Sequence, residues 1–181
     1  MAGRECGLER SFWNPMIKLI GDGGHAKVVR DVIASRSWWE RRWENMGPDY
    51  HFIAVGNNYH RRREALMMKG RGCPPLVHRT AWVSPNACIG WGTIVMAGAV
   101  IQADVIIGKH CIINTGASVD HDCRIGDFVH IAPGVNLCGG VEVGDGCLLA
   151  VGLGFAPNTK IEKWSFVKAK GIDIEPLQDN R

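Results

Sequence analysis

An apolar residue recurs every six positions through the second half of this chain, at Val83, Ile89, Val95, Ile101, Ile107, Ile113, Val119, Ile125, Ile131, Leu137, Val143, Leu149, Phe155, Ile161 and Val167. In a chain that is 46% hydrophobic, so long an unbroken row arises by chance with a probability on the order of 10⁻⁵ in any one phase, so the period is architectural. Four positions after most of these residues stands a small or short side chain: Ala87, Thr93, Ala99, Val105, Cys111, Ala117, Cys123, Val129, Val135, Val141 and Cys147. The two rows suit one narrow interior, in which Cys111, Cys123 and Cys147 serve as packing atoms. Glycine follows the aliphatic residue at Gly90, Gly108, Gly126 and Gly144, a step of three hexads. One circuit of a three-sided coil then takes three hexads, with short parallel strands on the faces and glycine or Asn/Asp at corners of positive φ. The stretch from Val83 to Phe166 makes roughly 4.7 coils. Such a solenoid stacks only its neighbouring coils and leaves its flanks exposed, which predicts side-by-side association of copies as a trimer.

The first half reads differently. Met16 to Ile20 predicts a buried strand, Gly21-Asp22-Gly23-Gly24-His25-Ala26 a glycine turn, and Val28, Val29, Val32 and Ile33 the apolar face of a helix. His51 to Val55 predicts a second strand, Gly56-Asn57-Asn58 a turn and helix cap, Tyr59 to Lys69 a second helix, and Leu76-Val77-His78 a third strand. Two crossovers then make a small parallel α/β sheet. Gly21-x-Gly23-x-x-Ala26 fits the dinucleotide-binding turn, in which backbone N–H groups meet a phosphate. The acid that a nicotinamide cofactor requires about 20 residues later is missing from the Ser37–Asn45 stretch SWWERRWEN. Either a phosphate-bearing small molecule at Gly23, Gly24 and His25 or a purely structural turn accounts for it. Trp38, Trp39 and Trp43 read as helix packing, and Arg61, Arg62 and Arg63 as a solvated helix face.

A formal charge of +3 gives no reason to expect nucleic acid or an anionic membrane. Seven cysteines without a C-x-x-C pair point to a reducing, cytoplasmic chain. No stretch reaches the roughly 18 apolar residues of a membrane span. Residues 1–15 lack an apolar signal core and read as a loose extension, followed by the α/β unit at 16–79, the solenoid at 80–170 and a tail at 171–181.

Of seven histidines, His25, His51, His60, His78 and His110 read as turn, strand-end or surface residues. In Ser118-Val119-Asp120-His121-Asp122-Cys123, the imidazole takes an outward position between two carboxylates that raise its basicity, and His130 follows nine residues on, half a coil away. His110, His121 and His130 occupy different hexad phases, which argues against convergence on one metal ion.

The run G-x-G-G-H-A-K-V-V, then F-I-A-V-G-N-N, L-V-H-x-T-A-W-V-S-P-x-A-x-I-G and I-I-N-T-G-A-S-V-D-H-D-C-x-I-G-D-F-x-H-I-A-P-G resembles the NeuD/PglD-like sugar acyltransferases over residues 16 to 168. The resemblance implies a Rossmann-like N-terminal unit before a left-handed parallel β-helix, assembled as a homotrimer. It also implies acetyl transfer from acetyl-CoA, without a metal, to an amino or hydroxyl group of a nucleotide-linked sugar. On this footing His121 is the general base and Asp122 the acid that supports it. His130, Val151, Ala169, Asn114 and Gly139 are placed toward acetyl-CoA, and Gly23, Gly24, His25 and Gly56 toward the nucleotide sugar. Three readings remain open: an N-acetyltransferase on a UDP-4-amino-sugar-like acceptor, a sialic-acid-type O-acetyltransferase, and a non-catalytic trimeric scaffold.

Overall fold

The computed structural model describes residues 17–35, 50–68 and 72–168, together with the backbone of 175–176. Ala169 and the tryptophan-rich stretch at 37–45 lie outside the described residues.

The hexad period folds as a parallel β-solenoid of three sheets. The first sheet holds β4 (Trp82–Val83), β7 (Val100–Ile101), β10 (Ser118–Val119), β13 (Asn136–Leu137) and β16 (Gly154–Phe155). The second holds β5 (Cys88–Ile89), β8 (Ile106–Ile107), β11 (Arg124–Ile125), β14 (Glu142–Val143) and β17 (Lys160–Ile161). The third holds β3 (Leu76–Val77), β6 (Ile94–Val95), β9 (Ile112–Ile113), β12 (His130–Ile131), β15 (Leu148–Leu149) and β18 (Ser165–Val167), with β19 (Glu175–Pro176) antiparallel at its end. Every parallel register joins a residue to its equivalent one circuit on, as in Ile107 with Ile125 and Ile131 with Leu149. Both predicted interior rows are inside: Ile101, Val119, Ile131, Ala99, Ala117 and Val135 have no exposure. The interior thiols donate to carbonyls of the coil wall, Cys111 to Gly126 at 3.0 Å, Cys123 to Cys138 at 3.2 Å and Cys147 to Glu162 at 2.9 Å.

Two details of the coil differ from expectation. The glycine column at Gly90, Gly108, Gly126 and Gly144 answers to close approach and not to corner geometry. A β-carbon on Gly90 would stand 2.5 Å from the Gly108 carbonyl carbon, and one on Gly144 2.5 Å from the Lys163 nitrogen. The corners also accept bulky residues. Asp104, Asp122 and Asn158 have positive φ as expected, but so do His110 (φ 54°), Phe128 (φ 59°) and Trp164 (φ 59°), all on the corner between the second and third sheets. Each bulky residue in that region costs roughly 1–2 kcal/mol. Ring stacking offsets part of the cost: His110 stacks on Phe128 at 5.3 Å and Trp164 on Tyr59 at 4.5 Å between centroids.

The N-terminal region comprises β1 (Ile17–Ile20), α1 (Gly24–Ala34), β2 (Tyr50–Ile53) and α2 (Asn58–Met67). β1 and β2 are parallel, and a lone parallel bridge joins His51 to Gly72. Gly21 at φ 112° passes so close to β2 that a β-carbon would stand 2.9 Å from the Ala54 carbonyl oxygen. The predicted third strand is a correction: Leu76–Val77 pairs with Ile94–Val95 and belongs to the solenoid. Val77 stands one hexad before Val83, and its inward packing in the coil outweighs any pairing with β2. α1 buries Ala26, Val29 and Val32, whereas Val28, expected on the same face, is 39% exposed. Ala26, Val29, Val32, Phe52 and Ala54 pack with Cys73 and Leu76 against Ile94, Met96 and Ile112, so the N-terminal elements cover the outer face of the third sheet. None of the helices in the described residues is long and apolar enough to cross a membrane.

Candidate active site

His121 stands on the corner between the first and second sheets, directly after β10. Asp122 takes the left-handed corner conformation (φ 61°), which a short polar residue tolerates. There its carboxylate Oδ2 accepts from His121 Nδ1 at 2.7 Å, and Asp120 Oδ1 accepts from the His121 backbone N–H at 2.8 Å. A carboxylate only accepts, so the bond places the ring proton on Nδ1 and leaves Nε2 with its lone pair free. The bond from Asp122, with the charge of Asp120 second, holds the imidazole pKa above its ordinary 6.5. Both side chains of the pair are open to solvent. One circuit on, Gly139 makes room for the ring: a β-carbon there would stand 2.6 Å from His121 Cε1 and 2.7 Å from Nε2. The structure therefore brings His121, Asp122 and Gly139 together.

A second group forms where the N-terminal elements meet the third sheet. Gly23 is the N-cap of α1, and among the described residues no side chain caps it and nothing lies within 4 Å of where a β-carbon on Gly23 or Gly24 would stand. This helix end is open to an anion. Gly56 faces the His25 β-carbon. On β12, His130 Nε2 lies 3.2 Å from Asn114 Nδ2, and Asn114 Oδ1 accepts from the Thr115 backbone N–H at 2.8 Å. That second bond orients the amide, so Asn114 donates to Nε2 and the His130 ring proton sits on Nδ1. Burial, then the Arg61 cation, pushes His25 down to about 4; burial, Arg61 and His25 push His130 down to about 3. Both rings are neutral at ordinary pH. Val151 projects from the remaining corner, between the third and first sheets, well exposed.

Arg61 corrects the reading of a solvated arginine run. It is 1% exposed, and burial lowers its pKa to about 10, which leaves it charged at neutral pH. His110, expected at the surface or a turn, has its ring stacked on Phe128 and its Nδ1 buried without a hydrogen-bond partner among the described residues. Charge patterning could not separate Arg61 from Arg62 and Arg63, because the distinction arises only where α2 meets the solenoid.

No family model matches the sequence. The UDP-N-acetylbacillosamine N-acetyltransferase of Bacillus subtilis is 38% identical over 45% of this chain and 51% of its own, so the chain spans about half the length of that curated relative. Among solved structures, the acetyltransferase domain of PglB from Neisseria gonorrhoeae is 33% identical over 84% of this chain and 88% of that one, with a TM-score of 0.75. A structure of the same domain holds acetyl coenzyme A. PerB from Caulobacter crescentus, solved with CoA and GDP-perosamine, is 33% identical over 83% of this chain and 84% of that one, also with a TM-score of 0.75. The chain belongs to the NeuD/PglD-like sugar acetyltransferases.

Proposed function

We propose that the protein is an acetyl-CoA-dependent N-acetyltransferase acting on the amino group of a nucleotide-linked amino sugar in bacterial glycan synthesis. The observation that carries this reading is the His121–Asp122 pair over Gly139, in the fold of relatives whose structures hold acetyl-CoA, CoA and GDP-perosamine. The acceptor amine attacks the thioester carbonyl carbon while His121 Nε2 takes its proton; the C–S bond breaks, and the sulfur of CoA leaves and receives that proton from the imidazolium. Asp122 holds the ring in the reactive tautomer and stabilises its charged form. Gly23, Gly24, His25 and Gly56 contact the nucleotide sugar, its phosphates at the uncapped end of α1. His130, Asn114, Gly139, Val151 and Ala169 serve acetyl-CoA.

The active assembly is a homotrimer of left-handed coils, each copy with a Rossmann-like N-terminal unit ahead of a β-helix whose first strand is Leu76–Val77. In a three-sided section, the corner that carries His121 is opposite the third sheet, on which the N-terminal elements pack. The base of one copy therefore serves the acceptor loops of another. A reducing, cytoplasmic setting suits the six cysteines that are free thiols among the described residues.

The test is thiol release from acetyl-CoA with a UDP-linked 4-amino sugar and with GDP-perosamine as acceptors. Acceptor-dependent release is expected, and His121→Ala is expected to lower kcat by about 10² to 10⁴ with the assembly intact. Release no faster than background hydrolysis with every amino sugar, or full turnover by the variant, would overturn the reading.

A further inference from the structure

Among the described residues no carboxylate pairs with the enclosed guanidinium of Arg61, yet all five of its N–H groups have acceptors. Nε donates to the His110 carbonyl at 2.7 Å and Nη2 to the Phe128 carbonyl at 2.8 Å, two corner residues one circuit apart. Nη1 donates to the Val55 and Gly56 carbonyls at 3.0 and 2.9 Å, and Nη2 also to Asn58 Oδ1 at 2.7 Å. Asn58 Nδ2 continues onto the next coil, to the Gly146 and Cys147 carbonyls, both at 3.0 Å. The two side chains together grip three successive coils at one corner. His110 and Phe128 are the residues held there in the left-handed conformation despite their bulk, and Arg61 takes the carbonyls which that conformation turns outward. The same loop is held at two points: the Gly56 carbonyl receives Arg61, and Asn57 Oδ1 caps α2 by accepting from the His60 N–H at 3.0 Å.

We propose that Arg61 is a positioning residue that fixes the Val55–Asn57 loop on the solenoid corner at His110 and Phe128, and so sets where the acceptor lies relative to the reacting thioester. The proposal rests on the reading of Gly56 as an acceptor contact. It requires the planar fork of arginine and not merely a positive charge: lysine keeps the charge but cannot span Val55, Gly56, His110 and Phe128 at once.

Arg61→Lys in the full-length protein separates the two. The expected result is a rise of about tenfold or more in the KM for the nucleotide amino sugar, with the KM for acetyl-CoA within about twofold of the parent, since misplacement by about 1 Å costs up to about 10²-fold. Amide exchange should accelerate across residues 50–68 while β9 to β14 keep their protection. An unchanged acceptor KM with unchanged exchange at 50–68 would overturn the proposal, as would equal losses for both substrates with exchange rising through the whole solenoid, the mark of general destabilisation. If the parent protein transfers no acetyl group to any nucleotide amino sugar, the functional reading falls, and exchange in Arg61→Lys still decides whether the arginine fastens the loop.

Discussion

The imidazole of His121 lies against the backbone of Gly139, one circuit further along the same corner, at a separation that leaves no space for a β-carbon. Gly139 is not in the left-handed region, so alanine is compatible with its backbone and strains only the contact. Gly139→Ala should push the ring away from its bond with Asp122 and lower kcat by about 10- to 10²-fold, with the melting temperature little changed. Steady-state kinetics beside a thermal melt check this; full activity in the variant would show that the ring has room to spare.

Asp122 raises the basicity of His121 and fixes its tautomer. Its replacement by asparagine keeps the corner conformation, which asparagine also adopts. The acid limb of the rate profile should move to lower pH, because the imidazolium loses its stabilising partner, and the plateau should fall by about tenfold or more. A profile whose acid limb stays in place would separate Asp122 from the titration of the base.

His25 and His130 set a different pH dependence, that of stability. In the unfolded chain they titrate near 6.5, whereas folded they stay neutral down to about 4 and about 3. Between these values the unfolded state binds more protons, so the stabilisation from keeping both rings neutral is complete above about 6.5 and declines on acidification. The decline is up to about 1.4 kcal/mol per pH unit for each ring. Melting temperatures measured from pH 7 to pH 4 should fall, and His130→Gln should show a shallower slope. Identical slopes would mean that His130 is protonated in the folded protein.

Thiol chemistry should sort the cysteines by their place in the coil. Cys88 and Cys138 are exposed, whereas Cys73, Cys111, Cys123 and Cys147 are buried. Burial raises the pKa of each of the four, that of Cys111 to about 12. An alkylating reagent on the native protein, followed by peptide mass spectrometry, should label Cys88 and Cys138 and reach the other four only after denaturation. Labelling of Cys111 or Cys147 in the native state would contradict a closed interior.

The solenoid was legible in the residues because each hexad repeats the same local problem. Val119, Ile125 and Ile131 must turn inward to be buried at all, and a period of six admits one three-sided solution. The His121–Asp122 pair was legible for the same reason: neighbours in sequence on an outward corner meet wherever the chain is taken. Gly139 beside His121, the buried Arg61, and the passage of Leu76–Val77 into the coil were decided only by contacts between segments far apart in sequence. His110, Phe128 and Trp164 hold corner conformations that their own propensities disfavour, because packing and hydrogen bonds from α2 act on them. Local preference amounts to a kcal/mol or less per residue, whereas leaving a buried cation without its acceptors, or a strand outside its ladder, costs more than that. Such terms exist only once the chain has closed on itself.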